Sequence, residues 1–134
     1  MTDEPIPPMP ALDLEPAIAE FLATMYQAPL DEDDVLRRRL EVRMESVHAA
    51  AHRDDYLDIG LAERIHQALT ALMAAVVAGD PADRRLVQAA VRYFIHDEDV
   101  IADLDSPTGL DDDALATGAV ARHLGLAELL PPGW

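Results

Sequence analysis

The side chains best suited to chemistry in this chain are carboxylates. Eight acidic residues stand in the seventeen positions from Asp97 to Asp113, with no base among them. If Asp99 and Asp103 share a helical turn, their i, i+4 spacing sets both carboxylates on one face. Gly109 would permit a tight fold of the backbone that brings Asp112 and Asp113 close to them. Four converging carboxylates repel unless protons, arginines or a divalent cation offset them, and hard oxygen ligands of this kind suit Mg²⁺ or Ca²⁺. The stretch is not an EF-hand. Counted from Asp103, the glycine falls in seventh place and Ala114 stands where a bidentate glutamate belongs. A use without any ion is equally physical. Asp111, Asp112 and Asp113 can start a helix, where the dipole favours anions, and Asp105 can open a turn with Ser106 and Pro107. Asp99 and Asp103 would then accept amide hydrogen bonds or pair with Arg92 or Arg64. This structural use is the one expected, since anions at helix starts are the commoner case.

The histidines form a second candidate set. His48 and His52 stand at i, i+4, a spacing that can chelate zinc, and Glu45 precedes His48 by three. Glu63 and His66 repeat the Glu-x-x-His spacing, so the chain carries two such motifs, as carboxylate-bridged di-iron bundles do. That site also needs a lone interior glutamate from each of two further helices. Glu20 could supply one, but the stretch from residue 81 to 95 holds none. The histidines are therefore read as the polar flank of a helix. No nucleophile elbow, P-loop or dinucleotide-binding glycine pattern is present.

These residues need helices to position them. The pattern predicts a first helix over Leu12–Gln27, with Ile18, Phe21, Leu22 and Met25 on one stripe. "APLDEDD" breaks it. Asp31 is placed to cap a second helix running to about Arg53, with Val35, Leu36, Leu40, Met44, Val47 and Ala51 apolar and Glu32, Asp33 and Asp34 in its first turn. A third helix is expected over Leu61–Ala78, burying Leu61, Ile65, Leu69, Leu72, Met73 and Val76, with Gly79 as its stop. "DPAD" then gives the cleanest boundary, with Asp80 as cap, Pro81 at the first helical position and Asp83 in the first turn. The fourth helix runs to Ile95 and buries Leu86, Ala90, Tyr93 and Phe94. A fifth covers Asp112–His123, and a short turn over Leu126–Leu130 precedes "PPGW". The predicted class is all-α: a compact bundle of about five helices ending in a helical hairpin joined by the acidic turn. Residues 1–10 are expected as a disordered tail, 11–130 as one helical domain and 131–134 as a C-terminal tail.

Composition narrows the function classes. Hydrophobic residues make up 50% of 134 positions but aromatics only 4%, so the core must come from Leu, Ala, Val, Ile and Met, which favours helices. The net charge of −16 repels phosphate backbones and anionic membrane surfaces alike. Direct nucleic-acid binding and membrane binding are therefore not expected. The absence of cysteine excludes disulfides and thiolate metal sites. "MTDEPIPPMP" has neither the basic end nor the apolar run of a signal peptide, and the longest apolar run, "ALTALMAAVVA", is too short to span a bilayer. The chain is read as soluble and cytoplasmic.

With the helices placed, the stretch from about Leu69 to Leu124 resembles the YkvA-like family, small bacterial domains of unknown function. That family's pattern is a helix, a "DP"-type break, a second apolar helix ending in an aromatic, and a signature similar to "SPIDLIPDFIPVIGYLDD". Aligned without gaps, Asp99, Asp103, Gly109, Asp112 and Asp113 fall on its Asp, Asp, Gly and paired Asp positions, and Val100 and Ile101 on its aliphatic pair. His96, Asp97 and Glu98 depart from its Ser-Pro-Ile entry, Ala102 replaces a proline, and Pro107 lies one place beyond the second proline. The resemblance implies a helix–turn–helix architecture and brings no established chemistry.

The expectation is thus a non-catalytic protein–protein interaction module with no cofactor, binding a partner with a basic surface, with homo-oligomerisation left open. Two rivals stand beside it. One is a divalent-metal protein or enzyme using Asp99, Asp103, Asp112 and Asp113, with His48 and His52 as a separate metal pair. The other is an acidic nucleic-acid mimic that blocks a nucleic-acid-binding protein.

Overall fold

The structure, a computed structural model, describes residues 6–51, 59–95 and 109–134. Those residues form an all-α bundle of five helices with no strand among them: α1 (Pro16–Tyr26), α2 (Asp33–Ala51), α3 (Ile59–Val76), α4 (Pro81–Ile95) and α5 (Gly109–His123), followed by a 3₁₀ turn at Ala127–Leu129. No helix among the described residues is long and apolar enough to cross a membrane.

The arrangement is centred on α4, which packs against each of the other four helices, while α3 also packs on α2 and α5. From Leu86 to Ile95 every residue of α4 except Tyr93 is buried. A helix enclosed on all sides is the hub of its bundle, and the small side chains of Ala89 and Ala90 let neighbours come close. Around it the core gathers Leu22, Leu36, Leu40, Ile65, Leu69, Leu72, Met73 and Phe94. Each fully buried aliphatic side chain of this size contributes about 1.5–3 kcal/mol through removal from water. The third helix buries Ile65, Leu69, Leu72, Met73 and Val76 as the periodicity requires, while Leu61, also expected there, is only partly buried.

Local signals set some boundaries closely. Asp80 Oδ1 accepts a hydrogen bond from the Ala82 N–H at 2.9 Å, Pro81 opens α4 and Asp83 lies in its first turn. The Gly79 N–H bonds the Val76 carbonyl at 2.9 Å, which ends α3 two residues before the expected Ala78.

Elsewhere the expected elements are corrected. α1 starts at Pro16 rather than Leu12. A proline disfavours helical geometry in the residue before it, and Glu15 accordingly has ψ 146°. Leu12 and Leu14 instead pack on the core from the segment before α1, as do Ile6 and Met9 from the expected tail. The remainder of that tail, residues 1–5, lies outside the described residues. Val35, expected on the apolar face of α2, is 47% exposed, and Tyr93, expected in the core, is half-buried with its ring edge-on to Phe21 at 5.0 Å. α5 begins at Gly109, three residues earlier than expected, so that Asp111 and Asp112 occupy its first turn. Trp134, at the far end of the chain, packs partly buried against the core.

Candidate functional site

Two groups of polar side chains are prominent, and only one was anticipated. Of the carboxylates proposed to converge, Asp99 and Asp103 lie outside the described residues. Asp112 and Asp113 both belong to α5 but point differently. Asp112 is exposed, whereas Asp113 is buried at 2%. Successive residues on a helix diverge by about 100°, so a paired "DD" cannot present both carboxylates to one site. The Asp112 carboxyl is held above the usual aspartate range, first by partial burial and then by repulsion from Glu15 and Asp111. Glu15 immediately precedes α1, so two helix N-termini meet here with like charges facing each other.

The histidine candidates separate as well. His48 is exposed on α2, and its Nε2 lies 3.9 Å from Glu63 Oε1 on α3. The two Glu-x-x-His motifs therefore meet across a helix pair through one residue of each. Both side chains are about half exposed, which suits a solvated contact between helices. His52 lies outside the described residues. Among the described residues, no three His, Asp or Glu side chains come together in a geometry that could hold a metal.

The unanticipated group lies on α4. Arg85, Gln88 and Arg92 are spaced by three and four, so they share one face of the helix, and all three grip the connection between α1 and α2. Arg85 donates to the Ala28 carbonyl at 2.8 Å and to the Tyr26 carbonyl at 3.3 Å, with its guanidinium 5.8 Å from the centre of the Tyr26 ring. α1 has no base in its own last turn, so a base from α4 answers the carbonyls at its C-terminal end. Gln88 binds Asp31 on both sides: its Oε1 accepts from the Asp31 N–H at 3.0 Å and its Nε2 donates to the Asp31 carbonyl at 2.9 Å. Arg92 donates to Asp31 Oδ2 at 3.0 Å, to the Pro29 carbonyl and to Gln88 Oε1.

This clamp corrects the role given to Asp31. The residue does not cap α2; the carbonyl of Glu32 accepts the first helical bonds from Val35 and Leu36, and the Asp31 carboxylate turns to Arg92 instead. Arg92, expected as a partner for Asp99 or Asp103, is bound to Asp31. Arg64 Nε donates to the Gly60 carbonyl of its own helix. A further arginine is drawn inside: Arg43 of α2 is 4% exposed, with its guanidinium 5.4 Å from the centre of the Phe94 ring. Desolvated cation–aromatic contacts of this kind are worth about 2 kcal/mol.

A signal for the clamp existed in the sequence. "RRLVQAAVRYF" places three long polar side chains at i, i+3 and i+7 within an otherwise apolar helix, and a shared polar stripe on such a helix asks for a polar partner. What the partner would be was not legible, because it lies 57 to 63 residues earlier in the chain. Chemically, the clamp engages the chain's own carbonyls and carboxylate and so organises structure, while Arg92 Nη1 is buried without a hydrogen-bond partner among the described residues. Comparison of the chain with protein-family models, with curated proteins and with solved structures returned no match in any of the three.

Proposed function

We propose that the chain is a non-catalytic interaction module whose acidic surface recognises a partner protein with a basic surface. The observation that carries this reading is how the charges are sorted between inside and outside. Among the described residues, twelve carboxylates are exposed against four exposed arginines, Arg38, Arg39, Arg64 and Arg122. Arg43 and Arg92 are buried, and Arg85 is spent on backbone carbonyls. Folding thus takes bases off the surface and leaves acids on it. The exposed field is more one-sided than the 26 acids and 10 bases of the composition suggest. Such a field accelerates encounter with a cationic surface and repels nucleic acid and anionic lipid.

The reading places the protein in the cytoplasm and needs no cofactor. A YkvA-like hairpin from Leu69 to Leu124 remains part of it. The mutual packing of α3, α4 and α5 and the aromatic Phe94 near the end of α4 support that assignment.

The test is chemical cross-linking in a lysate of the source cell, at low salt and again at about 0.5 M NaCl, where the Debye length falls to a few ångströms. A captured protein with a basic surface, lost at high salt and recovered with purified components, is the expected result. Capture that is indifferent to salt, or no capture at all, would count against it. Calorimetry with Mg²⁺ and Ca²⁺ supplies the complementary check. Stoichiometric heat that disappears on replacing Asp112 and Asp113 would replace this reading with a metal centre.

A further inference from the structure

The outward face of α5 carries an unusual charge order. Asp111, Leu115, Gly118 and Arg122 follow one another at intervals of four, three and four, which keeps them on one stripe of the helix, opposite the buried Asp113, Ala116, Thr117 and Val120. Within the stripe Asp111, Leu115 and Arg122 are exposed, while Gly118 is buried with the Arg122 side chain lying over it. With Ala114, Gly133 and Trp134 these residues line an open groove of about 500 Å³. Leu115 is 49% exposed within it. The Arg122 guanidinium folds back over Gly118, where a β-carbon would lie 3.1 Å from Nη1, and has no ion-pair partner among the described residues. The groove is apolar in its middle, acidic at one end and basic at the other.

This order reads the same under a two-fold rotation. Asp111 and Arg122 are equidistant from the midpoint between Ala116 and Thr117, and so are Leu115 and Gly118. We propose that α5 pairs antiparallel with α5 of a second copy of this chain. Each Asp111 then meets Arg122 of the other copy, and each Leu115 side chain enters the space above the other copy's Gly118. Asp111 and Arg122 lie about 16 Å apart along the axis at 1.5 Å per residue, so the two ion pairs bracket the apolar centre. For this Arg122 swings off Gly118, which costs only a rotamer change at the end of a flexible side chain. An interface between identical surfaces must be self-complementary in this way. The occupant follows from the charge order: a partner helix that is basic throughout would set a base against Arg122, whereas a second copy satisfies both ends. The pairing is weak, because one helix face buries less than a standard interface and two chains of −16 repel. It is independent of the basic-partner reading, and either can fail alone.

Sedimentation equilibrium from about 10 μM to about 1 mM protein in 0.15 M NaCl tests it. A concentration-dependent dimer is expected. Asp111→Arg and Arg122→Asp should each weaken it by about tenfold or more, because each sets like charges opposite one another, and the double reversal should recover most of the loss. Leu115→Gln should weaken the dimer without altering the charges, and circular dichroism checks that each variant is folded. If a single reversal fails to fold, Leu115→Gln carries the test. A chain that stays monomeric at about 1 mM overturns the proposal, as does a dimer indifferent to these substitutions or one that the double reversal does not restore.

Discussion

Two acidic helix starts in this protein meet opposite fates. At the beginning of α2, "DEDD" has its first carboxylate held 3.0 Å from Arg92 and its backbone bound on both sides by Gln88. At the beginning of α5, Asp112 lies near Glu15 and beside Asp111, and its carboxyl is pushed above its usual range by partial burial and then by those two acids. Composition at the two places is nearly the same, and each set serves a helix dipole. The difference lies in what the neighbouring helix offers. α4 presents Arg92 and Gln88 to the first, whereas the entry to α1 presents another acid to the second. The first acidic turn has become scaffold, and the second has stayed surface.

The sharpest way to break this contrast is at Arg92. Arg92→Met keeps most of the apolar stem but removes the bonds to Pro29, Asp31 and Gln88. Because the arginine side chain is only 8% exposed while Asp31 can still hydrate at 41%, a loss of about 2–4 kcal/mol is expected in denaturant unfolding. That loss should persist at high salt, since the contact is largely shielded from ions. Next comes Gln88→Ala, which leaves the Asp31 N–H and carbonyl without their side-chain partners. A loss of about 1–3 kcal/mol is expected, with increased amide exchange at Asp31 as the local readout. Were both variants as stable as the parent, the clamp would be a contact without energetic weight.

The smallest effect, and the one of opposite sign, is expected at Asp112. Its raised proton affinity means that the folded state holds a proton more readily than the unfolded chain. The group therefore favours folding in acid, and that contribution is lost as pH rises from the ordinary aspartate value through the raised one. Asp112→Asn should raise the melting temperature slightly at pH 7, within about 0.5 kcal/mol of stability, and make no difference below the ordinary aspartate pKa. Added NaCl should reduce the gain by screening Glu15 and Asp111, leaving the part that burial causes. A decrease at pH 7 would show that the dipole of α5 outweighs the like charges around it.

How much of this was legible beforehand follows from where each cause resides. Pro81 and Asp80 act within a few residues of themselves, and α4 begins and ends where they and the apolar run predict. Pro16 carried an equally local signal that a longer apolar stripe obscured. Val35 and Leu36 look alike as a pair of apolar residues, yet one is 47% exposed and the other fully buried, because only the position of α4 and α3 distinguishes the faces of α2. The candidate carboxylates were identifiable by type but not by direction, and Asp112 and Asp113 divided as soon as α5 acquired an orientation.

Sequence alone determined that the chain is helical, that Leu, Ala and Val build its core and that its charge is strongly negative, since propensity, periodicity and net charge are sums over residues taken in order. Only the tertiary structure decided which arginines leave the surface, which acid finds a base and which face of α5 is left open. Those outcomes depend on groups some sixty positions apart meeting at about 3 Å, and a hydrogen bond of that length leaves no trace in the order of residues along the chain.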